Sequence, residues 1–291
     1  MTLPALAVKN SGWGGRGYRN PVTEDKEIVP SITTVLKAEA KDALVQWAVD
    51  QTAGFAVANA HKLLTMSEER GFKMLRYLPA KNKGIEPGMD LNSYHSGVLN
   101  DASEMGSWTH EWIQADVPGS FLPYPDTDQA HDSHWEMVAE WDKFKSEHDI
   151  KPHFIEKTVW NGELGYAGTL DGVWEIDGNY CLMDIKTSRG LYTSTWMQLA
   201  ALFNAPEMFV PQDDDSYASL RDWQKPVTEV GVLHIRPNDV SWKGEHMPAF
   251  CRWVPAQDLD SHFTAFQGLL QYGKAQRDVR VAQREREKNG E

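Results

Sequence analysis

The stretch from Lys151 to Ser188 constrains this chain most. Residues 153–160, 166–176 and 179–187 are short β-favouring runs, separated by turn signals at Asn161-Gly162 and Asp177-Gly178-Asn179. Turns this tight leave no room for a crossover, so the three runs are expected to pair as an antiparallel meander. The region before it reads as mainly helical. Val35 to Leu64 has helical spacing with a break expected near Gly54, and residues 67–78 and 101–115 continue the helical reading. Trp135, Val138, Ala139, Trp141 and Phe144 share one broad face of a helix over 133–148. Residues 10–30 read as loop or short hairpin, and 79–100 and 118–132 as loops. After the meander come an expected helix at 192–204, a loop holding Asp213–Asp215, strands at 227–236 and 248–254, and a final helix from 259 to 288. The expected division is a mainly helical region at 1–150 and an α/β core at 151–291, as two parts or one compact domain.

Composition narrows the function classes. With 41% hydrophobic and 24% charged residues, the 291-residue chain has the balance of a globular protein. No run of about eighteen apolar residues offers a membrane span, and the N-terminus has no signal-peptide pattern, so a cytoplasmic, membrane-free protein is expected. Two isolated cysteines, Cys181 and Cys251, exclude a disulfide framework and a four-cysteine iron–sulfur cluster. The net charge of -13 opposes non-specific coating of DNA. It leaves room for a nuclease, where a local basic channel and divalent cations offset the phosphates.

Chemistry concentrates in Gly168-Thr-Leu-Asp171-Gly-Val and Leu182-Met-Asp184-Ile-Lys186-Thr-Ser188. Adjacent strands place Asp171 and Asp184 side by side, as carboxylates that can share a hard cation. Asp184 and Lys186, two apart on one strand, leave the same face. Metal-binding carboxylates beside an ammonium suit phosphodiester hydrolysis. The tripeptide is not unique, because Asp149-Ile150-Lys151 repeats it, with Glu136 at the spacing that separates Asp171 from Asp184. Context rejects that copy, since Glu136 lies on a helix and Asp149 at its end.

With that context the chain resembles the PD-(D/E)XK nuclease superfamily, and within it the RecB/Cas4-like exonucleases, including bacteriophage members. Val29-Pro-Ser-Ile-Thr-Thr-Val-Leu36 with Ala43-Leu-Val-Gln-Trp-Ala48 is similar to an N-terminal segment of phage members. Gly106-Ser-Trp-Thr-His110 is similar to the family's Gly-x-x-x-His helix. The resemblance spans about residues 29–205 and departs at Met105 (usually Arg), at Leu202 (often aromatic) and in lacking the cluster cysteines. It implies a restriction-endonuclease-like α/β core, with a mixed central sheet flanked by helices and a helical N-terminal region. It implies that His110, Asp171, Asp184 and the Ile185 carbonyl bind one or two Mg²⁺ or Mn²⁺, without an iron–sulfur cluster. Lys186 orients or activates water, Glu156 completes the metal shell and Gln198 positions the strand. The implied function is an exonuclease on single-stranded DNA or duplex ends in phage recombination, replication or repair, in the host cytoplasm, with a single-strand-annealing or recombination protein as partner. A structure-specific endonuclease and an inactive DNA-binding module of the same fold are the alternatives.

Other features have plainer readings. His131 and His134 lack a second pair for zinc. Gly12-Trp-Gly14-Gly-Arg-Gly17 matches Gly-x-Gly-x-x-Gly without the strand–loop–helix context of a dinucleotide site. Trp196, near the site residues, could stack on unpaired bases, though most of the tryptophans read as core.

Overall fold

The computed structural model describes residues 6–9, 11–23, 27–39, 42–70, 94–117, 132–241 and 243–289. The chain forms two compact units, one from Met1–Glu39 with Trp108–Glu291 and the other from Ala40–Ser107. The smaller unit holds α2 (Asp42–Ala58), α3 (Ala60–Arg70) and the start of α4 (Tyr94–Asp116), and follows α1 (Ile32–Val35). The expected break at Gly54 is absent. The helix runs through that residue and ends at Asn59, whose side-chain amide turns back to donate to the Phe55 carbonyl at 3.0 Å. Residues 94–100, expected as loop, are helical, while the expected features at 71–93 and 118–131 lie outside the described residues.

The larger unit is a mixed α/β structure built on a central five-stranded sheet. Its strands are β4 (Ile150–Ile155), β7 (Gly172–Ile176), β8 (Asn179–Lys186), β11 (Glu229–Arg236) and β14 (Phe250–Pro255), in the order β14-β11-β8-β7-β4. Only β8 and β11 pair in parallel among them. A second, antiparallel sheet has the order β10-β9-β5-β6, from β5 (Thr158–Asn161), β6 (Tyr166–Thr169), β9 (Glu207–Pro211) and β10 (Tyr217–Arg221). The N-terminal loop region contains β1 (Ala7–Val8), β2 (Gly17–Arg19) and β3 (Ile28–Pro30) as a small sheet, and β12 (Asp239–Val240) pairs with β13 (His246–Met247).

The expected meander is present, with a correction. Its first two runs keep one register from Phe154 onward but bend midway and enter two different sheets. Register continues from Ile155↔Gly172 to Thr158↔Thr169, so Glu156 and Lys157 face Asp171 and Leu170. Leu170 N–H donates to the Lys157 carbonyl at 3.0 Å, and Glu156 N–H reaches the Asp171 carbonyl at 3.4 Å. Glu156 has φ +51°, a left-handed conformation that bends the ribbon, so one hairpin serves two sheets. The next turn is tight as expected: Ile176 pairs with Asn179, and Asp177 and Gly178 both have positive φ.

Alternation along β8 sorts its side chains between two covered faces. Leu182 joins Val173, Val230 and Val232 in a core with Met197 and Leu199 of α6 (Thr193–Phe203) and Phe266 and Leu270 of α7 (Leu259–Asn289). On the other face Trp174 approaches Trp141 of α5 (Asp132–Glu147), with ring centroids 6.1 Å apart. With both faces covered, β8 is nearly continuously buried. Truncating the fully buried Leu182 to Ala is expected to cost about 2–5 kcal/mol in urea unfolding. Val279→Ala, on the exposed part of α7, should stay within roughly 0.5 kcal/mol.

Candidate active site

The bend and the β8 pleat together build the site. The register that pairs Gly172 with Met183 sets Asp171 opposite Asp184, one step beyond the last paired residues. At the bend, Asp171 turns its carboxylate across to β8. Its Oδ2 accepts the Ile185 N–H at 2.8 Å and lies 3.4 Å from His110 Nδ1. Asp184 and Lys186 share the face of Leu182, as their spacing predicts. Lys186 Nζ is 2.5 Å from Asp184 Oδ2. The ammonium is the charge partner of Oδ2, which has no further donor. Gln198 of α6 donates to the other oxygen, Oδ1, at 2.9 Å.

Burial sets the electrostatics. Asp184 keeps 1% of its side-chain surface exposed. Desolvation, partly countered by Lys186 and reinforced by Asp171, pushes its pKa up to about 6. Asp171 is also raised by burial, against the pull of Lys186 and the Ile185 N–H. Burial alone would lower the Lys186 pKa, but Asp184 and Asp171 outweigh it and the net shift is upward, so the ammonium is retained at neutral pH. The His110 side chain keeps 26% exposure, yet the protein around it and the Lys186 charge bring its pKa down to about 4. Its imidazole is therefore neutral at pH 7 and free to act as a ligand.

Glu156 sits at the bend. Its surface is exposed, but desolvation of its carboxyl and the charge of Asp171 raise its pKa. Gln114 donates to Glu156 Oε1 at 2.8 Å and reaches the Asp171 carbonyl at 3.4 Å. This clamp is absent from the sequence reading. Its signal was Gln114 standing four residues after His110, on the same helical face.

Asp171, Asp184, Ile185, Lys186, His110 and Gln198 are thus brought together, with Glu156 joined through Gln114. The repeat at 149–151 is not. Lys151 and Asp149 pair on the surface, 56% and 67% exposed, and Glu136 accepts from Asn238. His134 meets Trp108 edge-on, and His131 lies outside the described residues. Trp196 packs against the core, and Ser188 Oγ donates to the Gly190 carbonyl at 2.8 Å. Two carboxylates and one ammonium leave a net negative charge that a divalent cation would offset. The donor set suits Mg²⁺ or Mn²⁺: two carboxylates and a neutral imidazole. Among the described residues, however, no three His, Cys, Asp or Glu side chains are gathered around one point.

No family model and no curated protein matches this sequence. Among solved structures, an alkaline exonuclease from Laribacter hongkongensis overlaps at TM-score 0.32 and 8% identity, covering 63% of this chain and 84% of that one. The same enzyme in complex with dAMP overlaps at TM-score 0.31 and 10% identity, covering 67% and 90%. Overlaps this loose carry no argument about activity. Among the described residues no helix is long and apolar enough to cross a membrane.

A pH dependence follows from Asp184. Its pKa is 3.8 as an ordinary carboxyl and about 6 when folded. A raised pKa means the folded state binds the proton more tightly. The stability Asp184 contributes is therefore full below pH 4 and lost as pH rises through 6. In chelator, the stability of wild type minus that of Asp184→Asn is expected to fall from pH 4 to 6, by at most about 1.4 kcal/mol per pH unit. Urea unfolding at intervals across that range measures it, and a flat difference would refute the burial argument.

Proposed function

We propose that this chain is a divalent-metal-dependent deoxyribonuclease of the PD-(D/E)XK type, acting as an exonuclease. One observation carries the reading: Asp171 and Asp184 face each other across neighbouring strands, with the Lys186 ammonium 2.5 Å from Asp184. Surface acids would not need this arrangement.

Asp171, Asp184, His110 and the Ile185 carbonyl would hold Mg²⁺ or Mn²⁺. The bound ion supplies a polarised phosphate and a more acidic water. The chain's own residues supply the rest. Lys186, kept charged by its two carboxylates, orients the attacking water and stabilises charge developing on the phosphate. Because it is already protonated, it does not take the water's proton. Gln198 fixes Asp184 through Oδ1. Glu156 is held beside Asp171 by Gln114, where it can add an oxygen ligand or accept a proton. DNA is the substrate in this reading.

A second reading, a non-catalytic DNA-binding module, draws on the absence of three gathered ligands among the described residues. Digestion of linear and circular DNA separates the two. Wild type is expected to degrade linear DNA with Mg²⁺ or Mn²⁺ and to stop in chelator. Asp184→Ala and Lys186→Ala should each lower kcat by roughly 10²–10³-fold or more. A folded wild type that cuts neither DNA with either metal ends the enzyme reading, and cleavage of circles assigns an endonuclease.

A further inference from the structure

Two cavities, of about 350 and 460 Å³, share Trp13 as a wall beside α7. Lys37 and Arg280 line the first, and Lys274 and Arg277 the second, against two acids, Glu27 and Asp278. This is a local cationic surplus in a chain of net charge -13. Lys37, Arg277 and Arg280 form no ion pair among the described residues, so their charges are available to a ligand.

The aromatic element is fixed in advance. Trp13 Nε1 donates to the Ile28 carbonyl at 2.8 Å, and the Arg277 guanidinium lies 4.4 Å from the ring centroid. The glycines of the same loop have a steric reason. A side chain at Gly14 would come within 3.2 Å of Arg280 Nη1, and one at Gly15 within 2.5 Å of Thr34 Oγ1 and 3.2 Å of Lys37 Nζ. Bare backbone therefore lies directly against the cations. The loop leads into strand β2, not a helix, which excludes the dinucleotide fingerprint. The next residue, Arg16, donates to Thr33 Oγ1 at 3.3 Å.

We propose that the Gly12–Gly17 loop, Lys37 and the Lys274–Arg280 segment of α7 form a track for single-stranded nucleic acid, with the cations on phosphates and Trp13 stacked on an unpaired base. Charge complementarity selects a polyanion, and the fixed indole selects exposed base faces, which a duplex conceals. That the bound strand is also a substrate rests on the nuclease reading, whereas binding itself does not.

The test is fluorescence anisotropy in chelator, with a labelled oligothymidylate of about twelve nucleotides. Wild type is expected to bind it more tightly than a duplex of equal length. Lys37→Glu with Arg280→Glu should weaken binding at least about tenfold, and flatten the slope of log Kd against log salt by roughly 1.4, two phosphates at about 0.7 each. Trp13→Ala should weaken it by about tenfold with the salt slope unchanged. If the double variant does not fold, Arg280→Gln carries the test with a slope change of about 0.7. Hydrolysis of a nitrophenyl thymidine phosphate, which engages only the active site, should be unaffected in the charge variants. Unchanged oligonucleotide binding in the folded variants, no binding by wild type, or preference for the duplex would each overturn the track. Failure to hydrolyse the small ester would instead count against the nuclease reading, leaving the binding result to be judged alone.

Discussion

A carboxylate removed from water carries a desolvation penalty of several kcal/mol unless charge and hydrogen bonds compensate it. Asp184, 1% exposed on the middle strand of the central sheet, is in that position. Its neighbours are arranged around the problem. Lys186 brings a positive charge from two residues along, and Gln198 brings a donor from the helix covering that face. Burial and the neighbouring Asp171 charge still outweigh what Lys186 contributes, so the carboxyl pKa stays raised, to about 6. A replacement of Asp184 by an apolar residue would suit the surrounding core better. That the chain retains a costly charge there, beside a second carboxylate, is the physical basis for reading a site rather than a scaffold.

The second constraint is the bend in the hairpin. A straight ribbon would extend the central sheet. The left-handed residue Glu156 bends the ribbon at the level where Asp171 reaches across to the Ile185 amide, and Glu156 comes beside it. A non-glycine residue in this conformation costs about 1–3 kcal/mol. It is held by Gln114 on the side chain and by the two strand pairs on either side. The bend also frees β5 and β6 to pair with β9 in a second sheet, so the same few residues divide the fold and shape the site.

Much of the larger unit was legible in the sequence. Apart from β9, β10 and the short β12 and β13, strand and helix positions from residue 150 onward follow from period-two and helical patterning, and the tight Asp177-Gly178 turn fixes the β7–β8 register. That register in turn sets Asp171 against Asp184, so the pair was readable before any coordinates. The division into two sheets was not, because Glu156 carries no local mark of a left-handed conformation. Strands β9 and β10 were missed too. β9 pairs with β5, some fifty residues back, and β10 pairs only with β9, so the local sequence gives little sign of either. In the smaller unit Gly54 misled, since a glycine on an exposed helical face is a modest cost that a long helix absorbs.

By itself, then, the sequence determined which carboxylates lie side by side and that Asp184 and Lys186 share a face, because pleat and tight-turn register are local properties of the backbone. It could not choose between the two Asp-Ile-Lys copies by pattern. Local context favoured the second, whose acids fall on adjacent expected strands, and tertiary structure supplied the difference in burial: one copy is on the middle strand, covered on both faces, and the other is exposed at the sheet edge, where solvent screens its charges. Tertiary structure also decided that His110, Gln114 and Gln198, distant in sequence, close around the carboxylates, because a buried charge is satisfied by whatever donors packing brings within reach.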